Sequence, residues 1–138
     1  MRAILDVNVL ISALISPSGS PARLLLAWQE GRFELIVSPA LLAELRRALA
    51  YQKLERLIPP ADADAFVAWL SRTALLARDA AVPPPIREAD PDDDYLLALA
   101  AEQRAELVSG DGHLLALAGD CPIQSPADFL ATILDSND

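Results

Sequence analysis

"AILDV", residues 3–7, is a short apolar run of strand length with an acid set into its far end. Nothing in it alternates between apolar and polar, so it predicts a strand covered on both faces. The same form recurs in "FELIV" (33–37) and in "AELVSGD" (105–111), which ends on a Ser-Gly-Asp turn signal. "CPIQS" (121–125) is a weaker fourth, and residues 75–78 within "TALLARD" predict a fifth. Helical segments separate them. "SPARLLLAWQEG" (20–31) opens with Ser and then Pro at N1 and closes on Gly; "SPALLAELRRALA" (38–50) and "SPADFLATIL" (125–134) repeat the Ser-Pro start. "PADADAFVAWLSR" (60–72) carries Ala65, Phe66, Trp69 and Leu70 at helical spacing. Apolar strands alternating with helices predict an α/β fold whose central sheet, of four to five strands, is mostly parallel and covered on both faces. In such sheets ligands bind beyond the carboxyl ends of the strands. Asp6 and Asp111 both fall at that edge.

The bulk properties agree with one folded unit. A chain of 138 residues suits a single domain, 1–138, and 53% hydrophobic against 22% charged residues is a globular composition. "VPPPI" (82–86) reads as a stiff loop, not a domain boundary. Cys121 is the only cysteine, which excludes an intramolecular disulfide and fits a reducing cytoplasm. The stretch "MRAILDVNVLISAL" lacks a basic lead and a small-residue cleavage site, and no apolar run reaches membrane-spanning length. A cytoplasmic location is therefore expected. The net charge is −9, and Lys53 is the only lysine. A protein that grips phosphates by its own charge carries a basic stripe, and none is visible. An anionic substrate would need positive charge from elsewhere, for which a divalent cation is the obvious source.

"DPDDDYLLALA" (90–100) places four aspartates within five residues, just ahead of an apolar run. Asp90 and Pro91 read as N-cap and N1 of a helix, with Asp92, Asp93 and Asp94 in a first turn where the dipole favours acids. One cap does not need four like charges. Asp93 shares a helix face with Leu96, Leu97 and Ala100, the side that should pack on the sheet. Asp94 shares one with Leu97, Ala98 and Ala101, about 100° round the helix. Asp93 is thus the acid aimed inward, while Asp94 either reaches the site through water or serves the dipole. Glu44 lies among Leu41, Leu42 and Leu45 and shares the face of Ala40, Leu41 and Ala48. A carboxylate there is costly unless it is paired or coordinating; a salt bridge to Arg47 or Arg23 and a role as ligand account for it equally well.

Asp6, Glu44, Asp93 and Asp111 come from four separate segments that can converge at one sheet edge. Clustered carboxylates repel unless a cation offsets them, and hard oxygen donors select Mg²⁺ or Mn²⁺. Two such ions, roughly 4 Å apart, activate water and stabilise the leaving oxygen in phosphodiester hydrolysis. With one histidine, His113, expected on the surface of a short helix near Gly112, and one thiol, His-based triads and zinc sites find little support. A phosphoaspartyl hydrolase would need an Asp where Asn8 stands, and both it and a receiver domain would need a late lysine.

Four stretches together, "ILDVNVLISAL", "LLAEL", "DPDDDYLLALA" and "LVSGDGHLL", resemble the PIN-domain ribonucleases, and the closing "PIQSPADFL" extends the match nearly end to end. The toxin component of bacterial type II toxin–antitoxin modules (VapC-like) is the most similar branch. The resemblance implies a three-layer α/β/α fold, Mg²⁺- or Mn²⁺-dependent endoribonuclease activity on RNA, a cognate antitoxin and homodimers. Its four acids fall on Asp6, Glu44, Asp93 and Asp111. Asn8 matches the polar residue of the Asp-x-Asn start, and Ser109 a small hydroxyl before the last acid. Val7 departs from the Thr or Ser common at its place. The alternative is a non-catalytic module that keeps its metal ligands and only binds RNA or antitoxin; the intact set of four acids argues against it.

Overall fold

The computed structural model describes residues 1–81, 94–119 and 121–135. Five strands form one sheet: β1 (Arg2–Leu5), β2 (Glu34–Val37), β3 (Leu75–Leu76), β4 (Glu106–Val108) and β5 (Ile123–Gln124), in the order β3-β2-β1-β4-β5. Every pairing is parallel, with Arg2 opposite Glu34, Leu5 opposite Val108, Val37 opposite Leu76 and Val108 opposite Gln124. Parallel strands need crossovers, and helices supply them on both sides of the sheet, giving three α/β/α layers. The order grows outward from β1 to β3, then restarts on the other side of β1 with β4. The topological switch point therefore lies between β1 and β4, where such sheets hold their ligands.

The strands are shorter than the apolar runs that announce them. Pairing ends where the chain turns into the next helix, so the run 3–7 yields a strand only to Leu5, and β3 holds two residues rather than the four of 75–78. Val7 belongs instead to α1 (Val7–Ile15), a helix that sequence reading did not separate from the strand. Val7, Val9, Leu10, Ile11 and Ala13 are all buried, so the helix shows little of the polar face that betrays an amphipathic segment. Helix α2 (Ser20–Gln29) is capped by Gly19 rather than by Ser20, and Pro21 sits in its first turn. Gly31, at φ +80°, follows the end of that helix in the left-handed region, which glycine adopts most readily.

Helix α3 (Pro39–Leu49) behaves as its Ser-Pro start predicts. The Ser38 hydroxyl accepts from the Leu41 amide at 3.3 Å, and Leu41, Leu45 and Leu49 form the buried stripe. The short α4 (Gln52–Glu55), not anticipated from sequence, leads to α5 (Pro60–Thr73). The inward face of α5 is Ala63, Phe66, Val67 and Leu70; Ala65, expected on it, is exposed. Trp69 lies 5.1 Å from Trp28 of α2, centroid to centroid, in a tilted pair, and so ties α5 to α2. Helix α6 (Asp94–Gln103) packs on β1 and β4 through a continuous buried run from Leu96 to Ala100. The expected cap at Asp90 and Pro91, and the loop 82–86, lie outside the described residues. Next come α7 (Gly112–Leu115), which carries an exposed His113, and α8 (Pro126–Asp135), which packs against α2. Among the described residues no single helix is long and apolar enough to cross a membrane.

Candidate active site

Asp6 is the last residue before α1 and the first beyond β1. Its amide still donates to the Val108 carbonyl at 3.0 Å, continuing the β1–β4 ladder. Its carboxylate turns the other way, and Oδ1 accepts from the Val9 amide at 2.9 Å as the N-cap of α1. One residue thus closes a strand and opens a helix. Directly across, Ser109 follows Val108 out of β4, fully buried, and its hydroxyl donates to Asp6 Oδ2. The same Ser109 oxygen accepts from the Asp111 amide at 3.0 Å. Asp111 Oδ1 then accepts from the His113 amide at 2.8 Å and caps α7. Asp6, Ser109 and Asp111 are therefore one hydrogen-bonded unit at the switch point.

Its electrostatics are those of a crowded acidic site. Asp6 is 3% exposed. Burial pushes its carboxyl above the usual value, because the charged form loses water. The Ser109 hydroxyl and the Val9 and Asn8 amides oppose that push, and the negative charge of Asp111 adds to it. Asp111 is half-buried and borders an open hollow with Asn8, Ser12 and Pro126. Asn8, expected beside the site, is there, with an exposed side chain.

Glu44 belongs to a second hollow. It is half-buried on the rim of α3 between Ala40 and Ala48, as helical spacing anticipated. The group that meets it is neither Arg47 nor Arg23 but the Tyr95 hydroxyl, which donates to Glu44 Oε2. Among the described residues the ion pairs are Arg2–Glu34 and Arg32–Glu30, both at the surface. Tyr95 was not singled out from sequence. Its position beside Asp94 was visible, but a bond spanning 51 residues has no local signal. Asp94 itself is half-buried in the first turn of α6. Asp93 lies outside the described residues. Among the described residues no three His, Cys, Asp or Glu side chains form a group able to hold a metal ion. The structure thus joins Asp6 to Asp111 through Ser109, and places Glu44 with Tyr95.

The family model of the PIN domain matches residues 2–113. The chain belongs to the PIN-domain family. The PIN match runs from β1 into α7 and takes in Asp6, Glu44, Asp93, Ser109 and Asp111, while β5 and α8 lie beyond it. Among solved structures, the PIN fold seen here is similar to a chain in the crystal structure of VapBC2 from Rickettsia felis bound to a DNA fragment from their promoter. The TM-score is 0.62 at 15% identity, covering 91% of this chain and 98% of that one. Identity that low speaks to the fold alone. No curated protein matches the chain by sequence.

Proposed function

We propose that this PIN domain is a divalent-metal-dependent endoribonuclease acting as the toxin of a toxin–antitoxin pair. The observation that carries the reading is the Asp6–Ser109–Asp111 unit at the switch point between β1 and β4. Two acids and a hydroxyl, all hard oxygen donors, meet where the fold puts ligands. A carboxyl that is buried, raised and faced by a second acid is poorly placed without a cation. The donor set therefore fits Mg²⁺ or Mn²⁺, held by Asp6 and Asp111, with Asp93 and Glu44 as the further acids that the sequence assigns.

Bound there, a divalent cation supplies positive charge to a phosphate and acidifies water. The chain's own groups do the remaining work. The Val9 amide and the Ser109 hydroxyl fix the two oxygens of Asp6, so the carboxylate keeps one orientation through turnover. The Ser109 oxygen, held by the Asp111 amide, sets the distance between the two acids. Glu44, held by the Tyr95 hydroxyl, would complete the acidic set directly or through water. An antitoxin would reach this acidic site with an Arg or Lys, since a guanidinium pairs with carboxylates bidentately; the similar VapBC2 structure supports looking for such a partner. A homodimer is part of the same reading.

The test is cleavage of single-stranded RNA with Mn²⁺, with chelator, and by the Asp6→Asn and Asp111→Asn variants. Cleavage that needs metal and both acids is expected. A well-folded protein that cuts no RNA in Mn²⁺ overturns the reading.

A further inference from the structure

The hollow beside Glu44 has a composition that the four acids do not explain. Its lining is Ala40, Ala43 and Ala48 along α3, the charged Glu44 and Arg47, which do not pair with each other, and the phenols of Tyr51 and Tyr95. It encloses about 560 Å³, within the roughly 300–1,000 Å³ of small-ligand sites, so a nucleotide has room. Tyr95 is held by its bond to Glu44 and forms a fixed wall. Tyr51, at the junction of α3 and α4, is 70% exposed. The Tyr51 ring therefore offers an open flat face on the same hollow as the exposed Arg47.

The geometry points to a nucleobase-stacking subsite in this hollow, where an unpaired base of single-stranded RNA lies on the Tyr51 ring and Arg47 meets its phosphate. The inference rests on the nuclease reading and deepens it. Stacking on aromatic faces is how single-stranded nucleic acid is held without sequence preference, and every base has a face to offer. It also suits a chain of net charge −9. A body that repels phosphates gains more from ring stacking and one well-placed guanidinium than from a diffuse basic field. Glu44, a proposed acid of the site, shares the hollow, so a base seated there leads the strand toward the reacting centre. A second copy of the chain is the other occupant to consider. Glu44 and the alanines around it, residue types depleted at interface cores, count against that occupant, although Tyr and Arg would suit either.

Titration of a short fluorescent single-stranded RNA into the full chain, in chelator and with strand integrity checked, tests this. Tyr51→Ala and Tyr51→Leu should each weaken binding about tenfold, while Tyr51→Phe keeps wild-type affinity. Arg47→Ala should lower the slope of log affinity against log salt by about one. The exposed position of Tyr51 leaves the melting temperature unchanged in all three of its variants. Affinity retained in Tyr51→Leu overturns the subsite, as does a change in oligomeric state with RNA affinity unaltered, which gives the face to a second copy. If these variants bind as wild type and metal-dependent cleavage persists, the subsite falls and the nuclease reading stands. If binding depends on Tyr51 but no RNA is cut in Mn²⁺, the subsite stands and the nuclease reading falls.

Discussion

The Ser109 hydroxyl donates to Asp6 Oδ2, so two neighbouring parallel strands end in a single buried hydrogen bond across the mouth of the sheet. Few groups can replace it at that depth. Ser109→Ala leaves a carboxylate oxygen of Asp6 without its donor. The expected loss is about 1–3 kcal/mol of stability, together with a further rise in the Asp6 carboxyl and a drop in cleavage. Urea denaturation and turnover measured on the same preparation check it. Unchanged stability would mean that water takes the place of the hydroxyl.

Asp6 has two duties that different substitutions separate. Asparagine caps a helix as well as aspartate does, so Asp6→Asn keeps the Val9 bond and α1; its amide nitrogen can donate to the Ser109 oxygen. Asp6→Ala loses the cap, about 1 kcal/mol. Both should abolish cleavage, and only the alanine variant should melt lower.

The same carboxyl makes a prediction in pH. Its folded value lies above the usual 3.8, through burial first and Asp111 among the lesser causes. The protonated form therefore favours the fold: this group's contribution is full below its unfolded value and is lost as pH rises through the folded one. In chelator, stability relative to Asp6→Asn should shift toward the variant as pH rises from the usual carboxyl value through the raised folded one. A difference that stays flat over that window would show that Asp6 titrates normally.

Millimolar Mn²⁺ should raise the melting temperature of the wild type, because a ligand of the native state alone stabilises it. In Asp6→Asn and Asp111→Asn most of that rise should vanish. Equal rises in wild type and both variants would place the ion elsewhere.

Within "DPDDDYLLALA", Asp93→Asn should abolish cleavage and Asp94→Asn should leave most of it. The burial of α6 does not choose between the two: Leu96 to Ala100 are all buried, with Leu97 and Ala98 of the Asp94 face among them, so the prediction rests on helical spacing. The opposite result in a turnover assay would put the inward face one residue further on.

The layer order and the parallel sheet were legible because short apolar strands without alternation suit little except a sheet covered on both faces. Ser38 and the stripe Leu41, Leu45 and Leu49 were legible for a similarly local reason: a cap and a period of 3.6 residues leave marks in sequence. Helix α1 left none. "VNVLISALI" is buried on so many sides that its pattern runs into that of β1, and the capping aspartate reads as the strand's end. Asp6 and Asp111 were found by their places after strands. Ser109 came only as a family likeness, since nothing local links residues 103 apart. Tyr95 was missed because its value depends wholly on where α3 passes.

The strand order has a consequence for the timing of synthesis. β1 lies in the middle of the sheet, flanked by β2 on one side and β4 on the other. A chain emerging from the ribosome can pair β1 with β2 early, yet the opposite edge of β1 stays open until residues 106–111 have cleared the exit tunnel. Asp6 stands ready through all that time with no Ser109 to orient it and no Asp111 beside it. Assembly of the site is thus the late act of a long-range closure, the slow kind of contact to form. If the proposed activity holds, a translating ribosome, itself made of RNA, is spared a competent nuclease tethered to its surface while everything ahead of β4 is being made.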